Sequence, residues 1–470
     1  MSLRLPVGSV VAAPIVVDNV GGARMWRACR IISYFLILGL LPIAALAQPL
    51  SREQKVRNDR KKVEAQGFWI YNDLPKGFAE AHKTGKPMLV VLRCLPCDEC
   101  VKLDDELVDQ DPVISPLLKK FVCVRVVSTN GLDLSLFQFD TDQSFAAFML
   151  NADGAVYGRF GTRSHRTDWI GDVSLPGLAK ALEGALELHA DYPKNKSMLA
   201  RKRGPAPEFK SPEQYPALKG KYSSTLDYAG NVVKSCIHCH QIGDAQRELH
   251  RSRKEPIPDA VLFPYPHPKS IGLVLDPKER ATVLRVEPDS PAAKAGFQSG
   301  DVIATLADQP LLSIADVQWV LHDTPAKGAA LPAEVTRTGQ TRQLTLTLPP
   351  GWRRAGDLGW RSSSWGLRRM ATGGLLLEEL PAKDRAQAGI AGDGMALRVK
   401  HVGQYGPHAA AKQAGFRVGD VLVEFDGRTD LKRETDVLAH GVTARKAGER
   451  IAATVVRDGA RVSLTLPMQD

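Results

Sequence analysis

At 470 residues the chain is too long for one typical domain, and about three domains fit its length. A hydrophobic fraction of 44% supports packed cores and excludes a disordered chain. The formal net charge of +10 gathers in local runs, RNDRKK at 57–62, RKR at 201–203 and RELHRSRK at 247–254, with no aromatic-interleaved platform, so no nucleic acid partner is expected.

In chain order, Met25-Trp-Arg-Ala-Cys29-Arg30 precedes the apolar run Ile31–Leu41, and Ala45-Leu46-Ala47 fits a small-residue cleavage site before Gln48. Residues 1–47 therefore read as a secretory signal peptide, with Met25 as an alternative start. The apolar run is short for a spanning helix, and an uncleaved anchor is the competing reading. The expected location is the periplasm or cell envelope, with membrane contact only through this segment if it is retained. Removal takes Cys29 and leaves Cys94, Cys97, Cys100, Cys123, Cys236 and Cys239. In an oxidising compartment such thiols tend to be paired, catalytic or ligated.

Residues 48–66 are polar and read as a linker. Over 67–190, strand and helix patterns alternate. Pro87–Arg93 is a buried strand, Cys100–Leu107 and Asp111–Lys120 have helical spacing, and Phe121–Val127 and Phe145–Leu150 are strands. Asn151–Gly154 is a hairpin turn before a strand over 155–160, and Leu175, Leu178, Leu182 and Leu186 share one face of a closing helix. The order predicts an α/β domain. Residues 191–225, rich in Pro, Lys and Ser, read as a second linker, and 226–268 as a short segment holding CIHCH. An internal repeat follows: AKAGFQSGDVI (293–303) returns as KQAGFRVGDVL (412–422). Two homologous domains, 269–350 and 351–470, are predicted, the second with an N-terminal insertion.

CLPCDEC at 94–100 admits a redox pair, a ligand cluster or a structural disulfide. C-x2-C-x2-C matches the opening of a ferredoxin run, but the fourth cysteine is absent, because Cys123 sits inside an apolar strand. No iron–sulfur cluster is expected, and nothing in the chain signals a nucleotide. GKPMLVV, then Cys97-Asp98-Glu99-Cys100, then VKLDDELVDQDPVISPLLKKFVCVRV resembles a thioredoxin-like domain of the secreted type. The resemblance implies Cys97 as nucleophile and Cys100 as resolving thiol. A helix N-terminus would favour the first thiolate. Cys94 is a surplus thiol that could pair with Cys97. The chain departs from the pattern at Pro96, where Trp is usual, and at Ser144-Phe145, where a cis-proline is usual. Asp98 and Glu99 oppose thiolate formation.

Cys236-Ile237-His238-Cys239-His240 fits c-type haem attachment, with His240 as proximal ligand and His250 or His267 as the sixth. A plain CxxC disulfide, or a Cys/His metal site using His238 or His240, are the alternatives.

The repeated segments resemble the PDZ domains of secreted bacterial proteases. That resemblance implies a fold of β-barrel or sandwich type with helices. It also implies strand addition of a protein or peptide C-terminus, its carboxylate held by the loop Ser270-Ile271-Gly272-Leu273-Val274. Ser364-Trp365-Gly366-Leu367 is the suggested counterpart in the second copy, and Asp301 and Asp420 read as structural hydrogen-bonding residues. No GxSxG motif is present, so a serine protease is not expected. Taken together, the domains resemble a bacterial thioredoxin/PDZ family with selenocysteine-containing relatives, of which this chain would be a cysteine form. The expected function is an exported thiol–disulfide oxidoreductase acting on protein thiols or disulfides, with a haem relay and PDZ recruitment of partners. The rival readings are a haem electron-transfer protein on a degenerate scaffold and a non-enzymatic envelope adaptor.

Overall fold

The computed structural model describes residues 50–93, 111–163, 173–390 and 392–470. The signal segment and Cys94, Cys97 and Cys100 lie outside the described residues.

The first helix, α1 (Arg52–Gln66), occupies the stretch expected to be a linker. Ser51 and Gln54 close a reciprocal capping box at its start, and Gly67 ends it at φ 67°. Only Val56 and Val63 are buried. Polar contacts do the rest: Glu53 accepts from the backbone N–H groups of Val232 and Val233, and Arg57 donates to the carbonyls of Tyr228 and Gly230. A helix docked mainly by charged side chains has no apolar stripe to read, which is why its sequence looked like a linker.

Next come β1 (Ile70–Tyr71), α2 (Leu74–Thr84), β2 (Met88–Arg93), α3 (Ile114–Leu118), β3 (Val122–Val126), β4 (Gln143–Leu150), β5 (Val156–Arg163) and α4 (Leu175–Ala190). The strands form one sheet in the order β1-β3-β2-β4-β5. β1 and β2 run parallel to β3, β4 runs antiparallel to β2, and β5 antiparallel to β4. Every residue of β2 is buried, as an apolar strand covered on both faces must be. Leu89 and Val91 face a core with Leu178 and Leu182 of α4 and Ile114 of α3, while Met88, Val90 and Leu92 face a second core. Cys123 is buried in the first core, as its place in an apolar strand predicts.

That second core corrects two expected boundaries. Tyr215 and Leu218, from the stretch read as a linker over 191–225, join Ile237, Ile242, Ala245 and Leu249 on the second face of the sheet. The last three lie on α5 (Cys239–Ser252) at helical spacing. The CIHCH segment is therefore a layer of the sheet domain, and its apolar side is the sheet's cover.

The first repeat contains β6 (Leu273–Leu275), β7 (Val283–Val286), β8 (Val302–Leu306), β9 (Gln309–Pro310), α6 (Ile314–Asp323), β10 (Ala329–Arg337) and β11 (Gln340–Leu348). Its strands make a two-stranded sheet, β6-β7, and a four-stranded one, β11-β10-β8-β9. After α7 (Ser364–Thr372), the second repeat forms one sheet of β12 (Leu375–Glu379), β13 (Leu397–Val402), β14 (Val421–Phe425), β15 (Arg450–Arg457) and β16 (Ala460–Pro467) in sequence order, with α8 (Glu434–Thr443) between β14 and β15. Both are open sheets, so the barrel expectation is not met. Among the described residues no helix is long and apolar enough to cross a membrane.

The repeats share one anchor. Arg337 donates to both Asp301 oxygens and to the carbonyl of Gly296. Arg457 does the same with Asp420 and Gly415. Each aspartate also accepts from the backbone three residues earlier, Gln298 or Arg417. The two aspartates are thus structural hydrogen-bonding groups, as their Gly-Asp-Val context suggests. Ser364–Leu367, proposed as a carboxylate loop, instead opens α7.

Two contacts join the repeats to the first sheet. α6 lies against β5: Asp316 accepts from the Arg159 N–H at 3.2 Å and from Lys202 Nζ at 3.0 Å, and Ser313 donates to the Arg159 carbonyl. In the insertion before the second repeat, Arg361 reaches Asp140 at 2.7 Å and Asp142 at 3.1 Å, while Ser363 donates to Asp142 through both its N–H and its hydroxyl.

Candidate functional site

The site is the end of the sheet where β2 and β3 finish. β2 stops at Arg93, and the chain continues into Cys94. Arg93 is 2% exposed and pairs with Asp59 of α1 at 2.6 Å. Across the sheet its register partner is Phe145, also buried, of the Ser144-Phe145 step where the resemblance expects a cis-proline.

The segment 236–239 sits on this same end. Ile237 is clamped by the turn after β3: its carbonyl accepts from Thr129 N–H at 3.2 Å and Thr129 Oγ1 at 2.9 Å, and its N–H donates to Asn130 Oδ1 at 2.8 Å. Asn130 also donates to the carbonyls of Ser223 and Ser235. Cys236 Sγ points at the Val127 carbonyl, 4.0 Å away. Leu92, Arg93, Val126 to Thr129 and Cys236 to Cys239 surround a void of about 10 Å³, room for about one water.

The electrostatics favour neutral thiols here. Burial raises Cys236, with the Ser128 hydroxyl pulling the other way. Cys239 keeps part of its surface exposed, yet burial of its surroundings, seconded by Cys236, pushes its thiol up to about 12. Its position at the first residue of α5 favours the thiolate, but desolvation outweighs the helix dipole. Burial lowers His238, and the neighbouring His240 lowers it further. The two imidazoles stack with ring centroids 5.9 Å apart.

A c-type haem needs both thiols and its proximal histidine against one open face. Cys236 is 8% exposed and Ile237 0%, and the void beside them has no space for a porphyrin. His240 is turned to Asp244, 3.6 Å away. His250 lies on the last turn of α5, about 16 Å along the axis from position 239, 3.5 Å from Glu255. His267 is in the loop before β6, where its Nδ1 accepts from the Lys269 N–H. The histidines expected as sixth ligand are not brought to the cysteines, and the residues present do not fit a haem. No three His, Cys, Asp or Glu residues among those described converge as a metal site.

In the first repeat, Ile271 and Leu273 are fully buried, Val274 nearly so, and Gly272 takes φ 85° in the turn between them. These residues form the proposed carboxylate loop and open β6, which pairs only with β7 among the described residues. Sequence reasoning missed Thr129 and Asn130, which hold the second CxxC, and Arg361 and Ser363, which hold the Asp140–Asp142 loop. Ser128-Thr-Asn-Gly131 is legible as a turn, but its partners lie about a hundred residues away.

Comparison with known families gives the class of two segments of the chain. A thioredoxin-like family model matches residues 69–152, and a PDZ domain model matches 267–348. The chain therefore carries a thioredoxin-like domain and a PDZ domain, as the resemblances imply. Among individual proteins, it is 28% identical over 201 residues to a probable periplasmic serine endoprotease, DegP-like, of Pseudomonas savastanoi pv. phaseolicola, covering 42% of this chain and 39% of that one. It is 31% identical over 150 residues to the DegP-like counterpart of Pseudomonas putida, covering 32% and 30%. The regulator of sigma-E protease RseP of Escherichia coli is 37% identical over 70 residues, 15% of each chain. The chain thus spans well under half the length of these relatives. The solved serine endoprotease from Yersinia pestis matches 17% of this chain and 28% of its own at 29% identity, with a TM-score of 0.15.

Proposed function

We propose that the protein is an exported thiol–disulfide oxidoreductase whose PDZ domain recruits the protein it acts on. The observation that carries this reading is the entry into CLPCDEC from Arg93, the end of a fully buried strand parallel to its neighbour, in a domain of thioredoxin-like class. Cys97 thiolate attacks a substrate disulfide, forming a mixed disulfide and expelling one substrate thiolate. Cys100 thiolate then attacks the Cys97 sulfur and releases the second. Two electrons pass to the substrate, and the protons of the two cysteines end on its thiols. Export is supported by the signal-like N-terminus and by similarity to probable periplasmic endoproteases over part of the chain. The second repeat, with its matching Asp420–Arg457 anchor, is read as a second PDZ-like domain. A haem relay forms no part of this reading, because its residues do not fit.

The test is disulfide-reductase activity of the exported full chain toward a protein disulfide. Activity lost in Cys97→Ser supports the reading; an unchanged rate sinks it. An adaptor role is the second reading, favoured by β6, whose partner on one side only suits strand addition. Selective binding of C-terminal peptides by the Cys97→Ser protein, without any reductase activity in the parent, would favour it.

A further inference from the structure

We propose that Cys236 and Cys239 form a second dithiol/disulfide couple, built onto the end of the thioredoxin-like sheet and independent of the reaction assigned to Cys97 and Cys100. Three observations converge. The backbone between the two cysteines is fixed by Thr129 and Asn130, so the pair is held rigidly in the cover of the sheet. The chain is extended at Cys236 (φ −82°, ψ 127°) and turns into α5 at Cys239, the local form in which a C-x-x-C can close on itself. Both cysteines line one void of about 10 Å³ at the end of the sheet, close enough for Cys236 to act on the charge of the Cys239 thiol.

The chemistry is a thiol–disulfide exchange with an incoming disulfide as oxidant. Cys239, the more exposed of the two, attacks one of its sulfurs and expels the first thiolate. Cys236 then attacks the Cys239 sulfur, forming the Cys236–Cys239 bond and expelling the second. Two electrons go to the oxidant, and the two cysteine protons end on the released thiols. Burial keeps both cysteines protonated, so their reduced forms are poor leaving groups. A disulfide between them resists reduction, which makes the couple a reducing one. Its forward reaction is correspondingly slow until a substrate fits against 236–239.

The test uses the full chain with Cys29, Cys94, Cys97 and Cys100 changed to Ser, exported in cells able to attach haem. The purified protein is equilibrated across glutathione/glutathione disulfide ratios, alkylated under denaturing conditions, weighed and peptide-mapped. The expected result is the joint loss of two alkylation equivalents, mapped to 236–239, in a single two-electron transition. That disulfide persists in excess reduced glutathione, while Cys123 stays alkylatable throughout. Covalent haem on the chain, two thiols free at every ratio, or a disulfide from Cys236 or Cys239 to Cys123 overturns the proposal. The same measurement on the parent chain, with peptide mapping, guards against a misfolded variant.

Discussion

Lys202 Nζ lies 3.0 Å from Asp316 Oδ1, and the two side chains are 1% and 0% exposed. One comes from the stretch that reads as a linker, the other from the helix of the PDZ domain. Burial drives Lys202 below its ordinary range and Asp316 opposes that drop. Replacing Asp316 by Ala strands a buried cation and should cost about 3–5 kcal/mol. Chemical denaturation would read this as a lower midpoint, and a Lys202→Met/Asp316→Leu double variant should recover only part of the loss, because the buried N–H groups of Arg159 and Leu312 still lose their acceptor.

Asp142 carries a pH signature. Burial alone would raise its carboxyl, but Arg361 and Arg247, with two hydrogen bonds from Ser363, hold it below the usual range. Its folded value is thus depressed. The stabilisation is complete above the unfolded value, about 3.9, and is lost as pH falls through the folded one. Unfolding midpoints measured from pH 6 down to pH 2 should fall below about pH 4, and Asp142→Asn should lower the plateau and flatten that fall.

The repeated aspartate–arginine anchors give a paired prediction. Arg337→Ala removes the partner of the Asp301 carboxylate and should destabilise the first repeat, read as a lower unfolding midpoint. Arg457→Ala should do the same through Asp420. Arg→Lys at either position should recover only part, since lysine cannot bridge both carboxylate oxygens and the glycine carbonyl together. Hydrogen exchange should localise each loss to its own repeat.

In fully reduced native protein, Cys239 should be alkylated slowly up to about pH 10, since its thiol is pushed to about 12. In denaturant the rate should rise near the ordinary thiol value, about 8.5. Equal native and denatured profiles would contradict the burial that defines the site.

Much of this was legible in the sequence. The run MLVVLR, the hairpin at Asn151–Gly154 and the leucines of α4 each match the period of the element they form. The Gly-Asp-Val repeat announced both the duplication and its structural aspartates. What could not be read were elements whose reason lies far away in the chain. α1 has two buried apolar residues and is seated by Glu53 and Arg57. CIHCH has the letters of a haem motif, but Ile237 between its cysteines is a core residue. A local pattern fixes spacing, whereas only the sheet beneath decides which way those side chains face.

The docking of α6 on β5 has a consequence for how this protein survives beside other chains. β5 closes its sheet, and its outward N–H and C=O groups are a template for any passing strand. At Arg159 both groups are taken, the N–H by Asp316 and the carbonyl by Ser313. A PDZ domain binds by strand addition, so a molecule that carries one gains from hiding its other open border. Here the PDZ domain itself supplies the cover: the helix flanking its own sheet blunts the place where uncontrolled β-pairing, and with it aggregation, would begin.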